Sequence, residues 1–352
     1  MSYCEKLLRL NEIKDRLQDN ESNYIFETRI NFLIDRDVDK LVNSLYSLSD
    51  KYRCPELQDK LLKENVKGII LFGCGKDGMK SRRVLEDCGY TISFFCDSAK
   101  EKIGEVIDGI KVISIEDVVE NYTEYLVLLS SRKFCDEMKE MLEEKGFPKE
   151  MILKPRLGII TGICDWQYFD VLKPCENEVF IDGGCWNGDT IKEFIKYSHQ
   201  NYKKVLAFEP LKEMYQFIQN RIIEEKWSNI EVINGALWNK NEELKFSENT
   251  TASRISNTGE RIIQGISIDS IAKDEKVTFI KLDVEGAELE ALEGAREVIQ
   301  RDKPKLAISV YHKNFDIIDL PLLIIDLVSD CRFRLRHYYS EREETVLYVE
   351  CD

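Results

Sequence analysis

The sequence holds only three histidines in 352 residues, and no two of its eleven cysteines form a C-x-x-C pair. No apolar run approaches the length of a membrane-spanning helix, about 18 residues or more, so no membrane span is expected. The formal net charge is −15 and the basic residues are scattered. A non-specific nucleic-acid binder needs a concentrated basic stripe, so nucleic acid is excluded as a partner. The cysteines form neither a disulfide framework nor a zinc-like cluster. Thiols such as Cys74, Cys96 and Cys185 read as small reduced hydrophobes, which makes a cytoplasmic location the expectation. The opening MSYCEKLLRLNEIKDRLQDNE is charged and periodic, unlike a secretory signal. Internal repeats and low-complexity stretches are absent.

The apolar fraction is 43% and the charged fraction 33%, enough for real cores in a soluble chain of two ordinary domains. Residues 1–66 read as a helical segment, because Leu7, Leu8, Leu10, Ile13 and Leu17 recur at helical spacing and Leu41, Leu45 and Leu48 do so again. This segment is either a cap on its own chain or a dimerisation arm for a homo-oligomer. Residues 67–155 alternate strands and helices (VKGIILFGCGKDG, TISFFCD, YLVLLS), which implies a small Rossmann-like α/β domain. Gly73, Gly75 and Gly78 form G-x-G-x-x-G, and Asp97 closes the next strand. That is the context of a nucleotide-binding fingerprint, although the same glycines also serve a bare strand–helix turn.

Residues 156–352 form a second α/β unit after the connector DWQYFDVLKP. Its expected strands are EVFIDGG, KVLAFEP, IEVINGA, TFIKLD, KLAISV, RFRLRH and TVLYVE. The stretch VFIDGGCWNGDT crowds Asp182, Gly183, Gly184 and Gly188 between a strand and a helix start. Glycine costs backbone entropy, so the cluster implies positive φ or close backbone approach. An acid at the strand end would repel a pyrophosphate, whereas a cationic ligand part suits it. Gly184 and Gly188 would admit an amino-acid carboxylate to the helix N-terminus. Glu209 in AFEP is placed to accept both hydroxyls of a ribose. Asn234 and Ala236 in INGALW are expected to border an adenine ring. Amino acid, ribose and adenine together make S-adenosylmethionine.

VFIDGGCWNGDT, AFEP, FIKLDVEGAELEALEGA and RLRHYYSEREETVLYV resemble the FkbM family of S-adenosylmethionine-dependent methyltransferases, over residues 165–350. The resemblance implies a seven-stranded Rossmann-like sheet with a reversed last strand, and O-methylation of a sugar or glycan precursor. It carries Asp182, Gly184, Gly188 and Glu209 over as cofactor residues. Cys185-Trp186 stands where the family often has Ala-Asn, which leaves that loop's side-chain contacts open. Residues 67–153 are similar to the nucleotide-sugar-binding N-terminal domain of bacterial sugar acyltransferases.

Methyl transfer needs an in-line approach to the sulfonium and a base for the acceptor's proton. Asp283 ends TFIKLD beside the expected methyl group, and is both a cofactor and a catalytic candidate. Two of the histidines fall at strand ends. His312 is the candidate base, and His337 is expected to act on the small-molecule or glycan acceptor. Asp283 with Glu285 offers hard oxygens to Mg²⁺, but two ligands fall short of a cage, so no metal is assigned. Two alternatives remain: a non-catalytic or dehydrogenase-like nucleotide or nucleotide-sugar binder using Gly73 to Asp97, and N-methylation of an amino sugar.

Overall fold

The computed structural model describes residues 3–46, 57, 60–61, 66–87, 89–131, 134–153, 167–247, 254–255, 259–339 and 341–351. Leu48 of the expected helical repeat, the expected boundary at Pro155 and the first two residues of the aromatic connector lie outside these. Two compact units emerge. One comprises Met1–Leu41, Tyr168–His337 and Glu343–Asp352, and the other comprises Val42–Gln167 with Tyr338–Arg342.

The second of these units is a six-stranded sheet in the order β3-β4-β2-β1-β5-β6. Its strands are β1 (Ile69–Phe72), β2 (Ile92–Cys96), β3 (Val106–Ile107), β4 (Ile110–Ile113), β5 (Leu126–Leu129) and β6 (Ile152–Leu153). All neighbours are parallel except the β3-β4 hairpin. IILF in β1 and LVLL in β5 are buried at every position, as central parallel strands covered on both faces must be.

The first unit holds a seven-stranded sheet in the order β16-β17-β15-β14-β7-β8-β9. These strands are β7 (Glu178–Gly183), β8 (Tyr202–Phe208), β9 (Ile230–Ile233), β14 (Phe279–Leu282), β15 (Lys305–Ser309), β16 (Cys331–His337) and β17 (Thr345–Cys351). From β15 to β9 all pairings are parallel, and β17 runs antiparallel between β15 and β16. The carboxyl ends of β7, β8, β14 and β15 therefore share one rim. Phe180 of β7 stacks on Phe194 of the helix Asp189–Tyr197 with centroids 4.2 Å apart, fixing the helix that follows the glycine turn.

A second, four-stranded sheet was not expected from the sequence. Its order is β10-β13-β11-β12, from β10 (Ala236–Leu237), β11 (Glu242–Ser247), β12 (Arg254–Ile255) and β13 (Arg261–Ile266). Leu244, Phe246 and Ile263 form its buried face. The alternation that buries Leu244 and Phe246 is present in EELKFS, but its charged flanks mask it. Cys331 and Cys351 pair in register across β16 and β17 as a disulfide, a departure from thiols reduced throughout. Residues twenty apart meet here only because the strands pair.

The N-terminal segment packs on its own chain. Residues 16–18 bond to the outer edge of β16, where Phe333 N–H donates to the Arg16 carbonyl at 2.9 Å and Gln18 N–H to the Phe333 carbonyl at 3.1 Å. Leu335 N–H donates to Ser22 Oγ at 2.9 Å. An unpaired edge strand is an aggregation template, and this segment covers it. Asp19 caps the helix Asn20–Asp35 by accepting from Ser22 N–H at 2.8 Å, and it also takes Arg336 Nη2 at 2.8 Å. Burial raises its carboxyl, but Arg336 and Ser22 outweigh that and hold it down at about 2.

Asp19→Ala should cost about 1–2 kcal/mol at pH 7, the loss of a cap. The depressed group contributes stability above its ordinary value of 3.8, lost as pH falls through about 2. The difference between wild type and variant in urea unfolding should therefore shrink across that window. A difference independent of pH would remove the carboxylate from the account.

Candidate active site

The turn after β7 is held by missing side chains and by one buried cation. Gly184 has φ +79°, and a Cβ there would lie 1.9 Å from the Asp283 carbonyl, so the loop touches the end of β14 at a distance only glycine allows. Gly188, at φ +82°, opens the helix Asp189–Tyr197. The Gly184 and Cys185 amides both donate to the Phe208 carbonyl, at 3.2 and 3.1 Å, and the Gly188 amide donates to the Cys185 carbonyl at 2.7 Å. The N–H groups of Gly184 and Gly188 are thus spent on tying the turn to itself and to β8.

Lys281 of β14 is the cation. Its Nζ donates to the Gly183 and Gly184 carbonyls at 3.0 and 2.8 Å and lies 3.1 Å from Asp182 Oδ1. The exposures are 1% for Lys281 and 0% for Asp182. Burial pulls the ammonium down, but Asp182 and Asp283 outweigh it and the net direction is up. Asp182 thus faces an internal charge, which offsets part of its burial while the net direction of its carboxyl stays up.

Glu209 sits at the end of β8, 4% exposed. It accepts from Leu211 N–H at 2.9 Å and from the Trp186 amide, which links it to the glycine turn. Burial pushes its carboxyl up to about 7 despite these two donors. Asn234 donates to the Glu209 and Pro210 carbonyls at 2.9 and 3.1 Å, so its side chain braces the segment after β8. Ala236 is partly buried against the Leu244, Phe246 and Ile263 cluster of the small sheet.

Beyond β14 and β15 four charged groups converge. His312 Nε2 lies 3.6 Å from Asp283 Oδ1 and 3.5 Å from Glu285 Oε2, and Nδ1 lies 3.0 Å from Glu288 Oε1. Asp283 is fixed from above by Tyr168 and Tyr311, whose hydroxyls donate to Oδ2 at 2.8 Å and to Oδ1 at 3.2 Å. Burial raises Asp283, but Lys281 and His312 outweigh it and its direction is down. Burial lowers His312, but Glu288, Asp283 and Glu285 outweigh it and push the imidazole up to about 10. These three carboxylates favour the imidazolium form of His312. Glu285 is the most exposed member of the group at 48%, and burial raises its carboxyl. Asp283, Glu288 and His312 each offer an atom within 4.8 Å of the others, so the pair expected for a metal, Asp283 with Glu285, gives way to this trio.

His337 ends β16 as expected but is fully buried, with Nδ1 2.9 Å from Thr345 Oγ1, which also accepts from Arg29 Nε at 2.9 Å. It is enclosed by its own strand pair and the N-terminal helix, which withdraws it from acceptor contact. In the six-stranded unit, Gly73 has φ +104°, and a Cβ on Gly78 would lie 2.0 Å from the Gly73 carbonyl, so these glycines are needed for the strand–helix turn itself. Gly75 has open space around it. Asp97 accepts from the Cys74 amide at 3.1 Å, from Ala99 N–H at 3.0 Å and from Lys102 Nζ at 3.1 Å. Burial raises this carboxyl, but Cys74 and the other donors outweigh it and hold it at about 2.

With this geometry in view, similarity to known proteins gains a local meaning. Residues 182–335 match the family model described as the methyltransferase FkbM domain. Residues 65–153 match the model described as C2185-like, N-terminal. No curated protein matches. Among solved structures, the chain is similar to methyltransferase FkbM from Methylobacillus flagellatus KT, at 20% identity and TM-score 0.49 over 94% of this chain and 99% of that one. It is also similar to an rRNA methylase from Streptococcus thermophilus, at 18% identity and TM-score 0.35, over 52% of this chain and 90% of that one. A Streptococcus mutans protein in complex with SAH gives 15% identity and TM-score 0.33 over 51% and 92%.

Sequence reasoning passed over Lys281, Tyr168 and Tyr311. A lysine inside the apolar run TFIKL, two residues before its terminal acid, was the available signal. Lys281→Met should cost about 3–5 kcal/mol in urea unfolding, because Asp182 is left charged and buried. Adding Asp182→Asn should recover part of that loss. If the two single losses simply add, the two side chains do not act as a pair.

Proposed function

We propose that the methyltransferase domain uses S-adenosylmethionine to O-methylate a hydroxyl of a sugar or glycan precursor. The observation that carries this reading is the shared rim. A glycine turn, a buried strand-end glutamate and a half-exposed carboxylate cluster follow one another at the carboxyl ends of β7, β8, β14 and β15, where ligands of open α/β sheets bind. The residues fit the cofactor. Glu209 is a buried carboxylate with lone pairs beyond its two amide donors, suited to a pair of ribose hydroxyls, and Gly184 leaves the turn free of a side chain.

S-adenosylmethionine supplies a methyl group on a cationic sulfur. The chain's task is then to hold the acceptor hydroxyl in line and receive its proton. Lys281 fixes the turn, and Tyr168 and Tyr311 fix Asp283. Glu285, the exposed carboxylate, takes the proton, with His312 as its cationic neighbour. The acidic cluster also suits an amino-sugar acceptor, the N-methylation variant of the same reaction.

Calorimetry with the full chain should show S-adenosylmethionine binding, weakened in Glu209→Ala by about 1.5–3 kcal/mol for each charge-assisted bond lost. Gly184→Ala should abolish it by pushing the turn off β14. Labelled methyl groups should pass to a member of a sugar and glycan panel, and Glu285→Gln should slow that transfer by about 10²–10⁴-fold with cofactor affinity kept. Thermal stabilisation by NADH or a nucleotide sugar, with none by S-adenosylmethionine, would replace this reading with the nucleotide-binding one.

A further inference from the structure

The geometry points to a divalent-cation site formed by Asp283, Glu288 and His312, a proposal that rests on the methyl-transfer reading for its role but not for its existence. One atom from each of the three lies within 4.8 Å of the other two, the spacing of ligands around a single ion. The set comes from three elements: the end of β14, the first turn of the helix Glu288–Glu293, and the segment after β15. Two carboxylates and a neutral imidazole match a 2+ charge and mix hard oxygen with nitrogen. That composition suits Mn²⁺ and its first-row neighbours better than Ca²⁺.

Glu288 supplies the second observation. It is 1% exposed, and its Oε2 has no hydrogen-bond partner although it is buried. A carboxylate oxygen left so inside a protein costs free energy unless something positive meets it. Its Oε1 is fixed by the Val284 and Gly286 amides at 2.8 and 3.4 Å, which sets the direction of the whole group. His312 Nδ1 lies 3.0 Å from that Oε1 yet is not aligned for a hydrogen bond with it. Tyr168 and Tyr311 hold the Asp283 carboxylate in the way outer partners orient metal ligands. Glu285 stays outside the trio. An ion here would bind the acceptor's oxygen, lower the pKa of its hydroxyl and leave Glu285 to take the proton.

The test uses chelator-treated full-length protein titrated with Mn²⁺, with free ion followed by electron paramagnetic resonance. One Mn²⁺ per chain is expected. His312→Gln and Glu288→Gln should each weaken it by about tenfold or more, while Glu290→Gln should leave it unchanged. Since Glu288 also holds backbone amides, circular dichroism and Asp283→Asn serve as checks on folding and on the site. Calorimetry with S-adenosylmethionine on the same samples separates the two readings. Mn²⁺ binding without cofactor binding keeps the ion site and sinks the methyl-transfer reading. Wild-type protein that binds S-adenosylmethionine but no Mn²⁺ at millimolar concentration overturns the site, as does Mn²⁺ binding indifferent to all three substitutions.

Discussion

The buried contact between Lys281 and Asp182 is the constraint on which the rest of the rim depends. A single ammonium on β14 reaches across to β7, neutralises the acid at its end and holds the two carbonyls of the turn that follows. The turn can lie against β14 only because Gly184 has no side chain. Its amides then reach β8, so that β7, β14 and β8 are locked together at one level and Glu209 is presented beside them. A buried pair of this kind adds little net stability compared with apolar residues of the same size. What it contributes is a unique register between the turn and the strand bearing Asp283.

Much of this was legible in the sequence, for a definite reason. An apolar run ending in an acid and glycines can be read locally, which is why Asp182, Glu209 and Asp283 read as strand-end acids and Gly184 and Gly188 as the turn into a helix. Their partners were not legible, because partners come from elsewhere in the chain. Lys281 lies in a strand buried at every position, and only the pairing of β14 with β7 brings Asp182 to it. His312 and His337 look alike in sequence, each at the end of a strand. One meets carboxylates of the LDVEGAE segment and becomes a cation, while the other meets Thr345 and Arg29 and becomes part of the packing. The small sheet between β9 and β14 was readable in the period of EELKFS. The contact of residues 16–18 with β16 was not, because helical periodicity on either side of a short extended stretch hides its pairing.

That N-terminal contact also explains why residues 1–41 group with the seven-stranded sheet. The reversed strand β17 lets β16 finish the sheet with one edge open to solvent. Arg16 to Gln18 close part of that edge with backbone bonds, and Ser22 and Asp19 extend the closure through side chains to Leu335 and Arg336. Topology created the liability and the preceding segment removes it.

Charge at the rim gives a last step of reasoning about what it can receive. Among the described residues, Asp182, Glu209, Asp283, Glu285 and Glu288 share Lys281 and His312 as cations. Three of these carboxyls, Asp182, Glu209 and Glu285, are displaced upward by burial that no cation fully offsets. A group in that condition gains when positive charge or a hydroxyl donor arrives, because either favours the ionised form and cancels part of the desolvation cost. The argument first attached to Asp182 alone, that an acid here suits a cationic ligand, therefore survives in altered form. Lys281 offsets part of the burial at Asp182, and the demand for positive charge belongs to the rim as a whole. A sulfonium, an ammonium or a divalent ion each meets that demand, whereas a pyrophosphate would add to the repulsion.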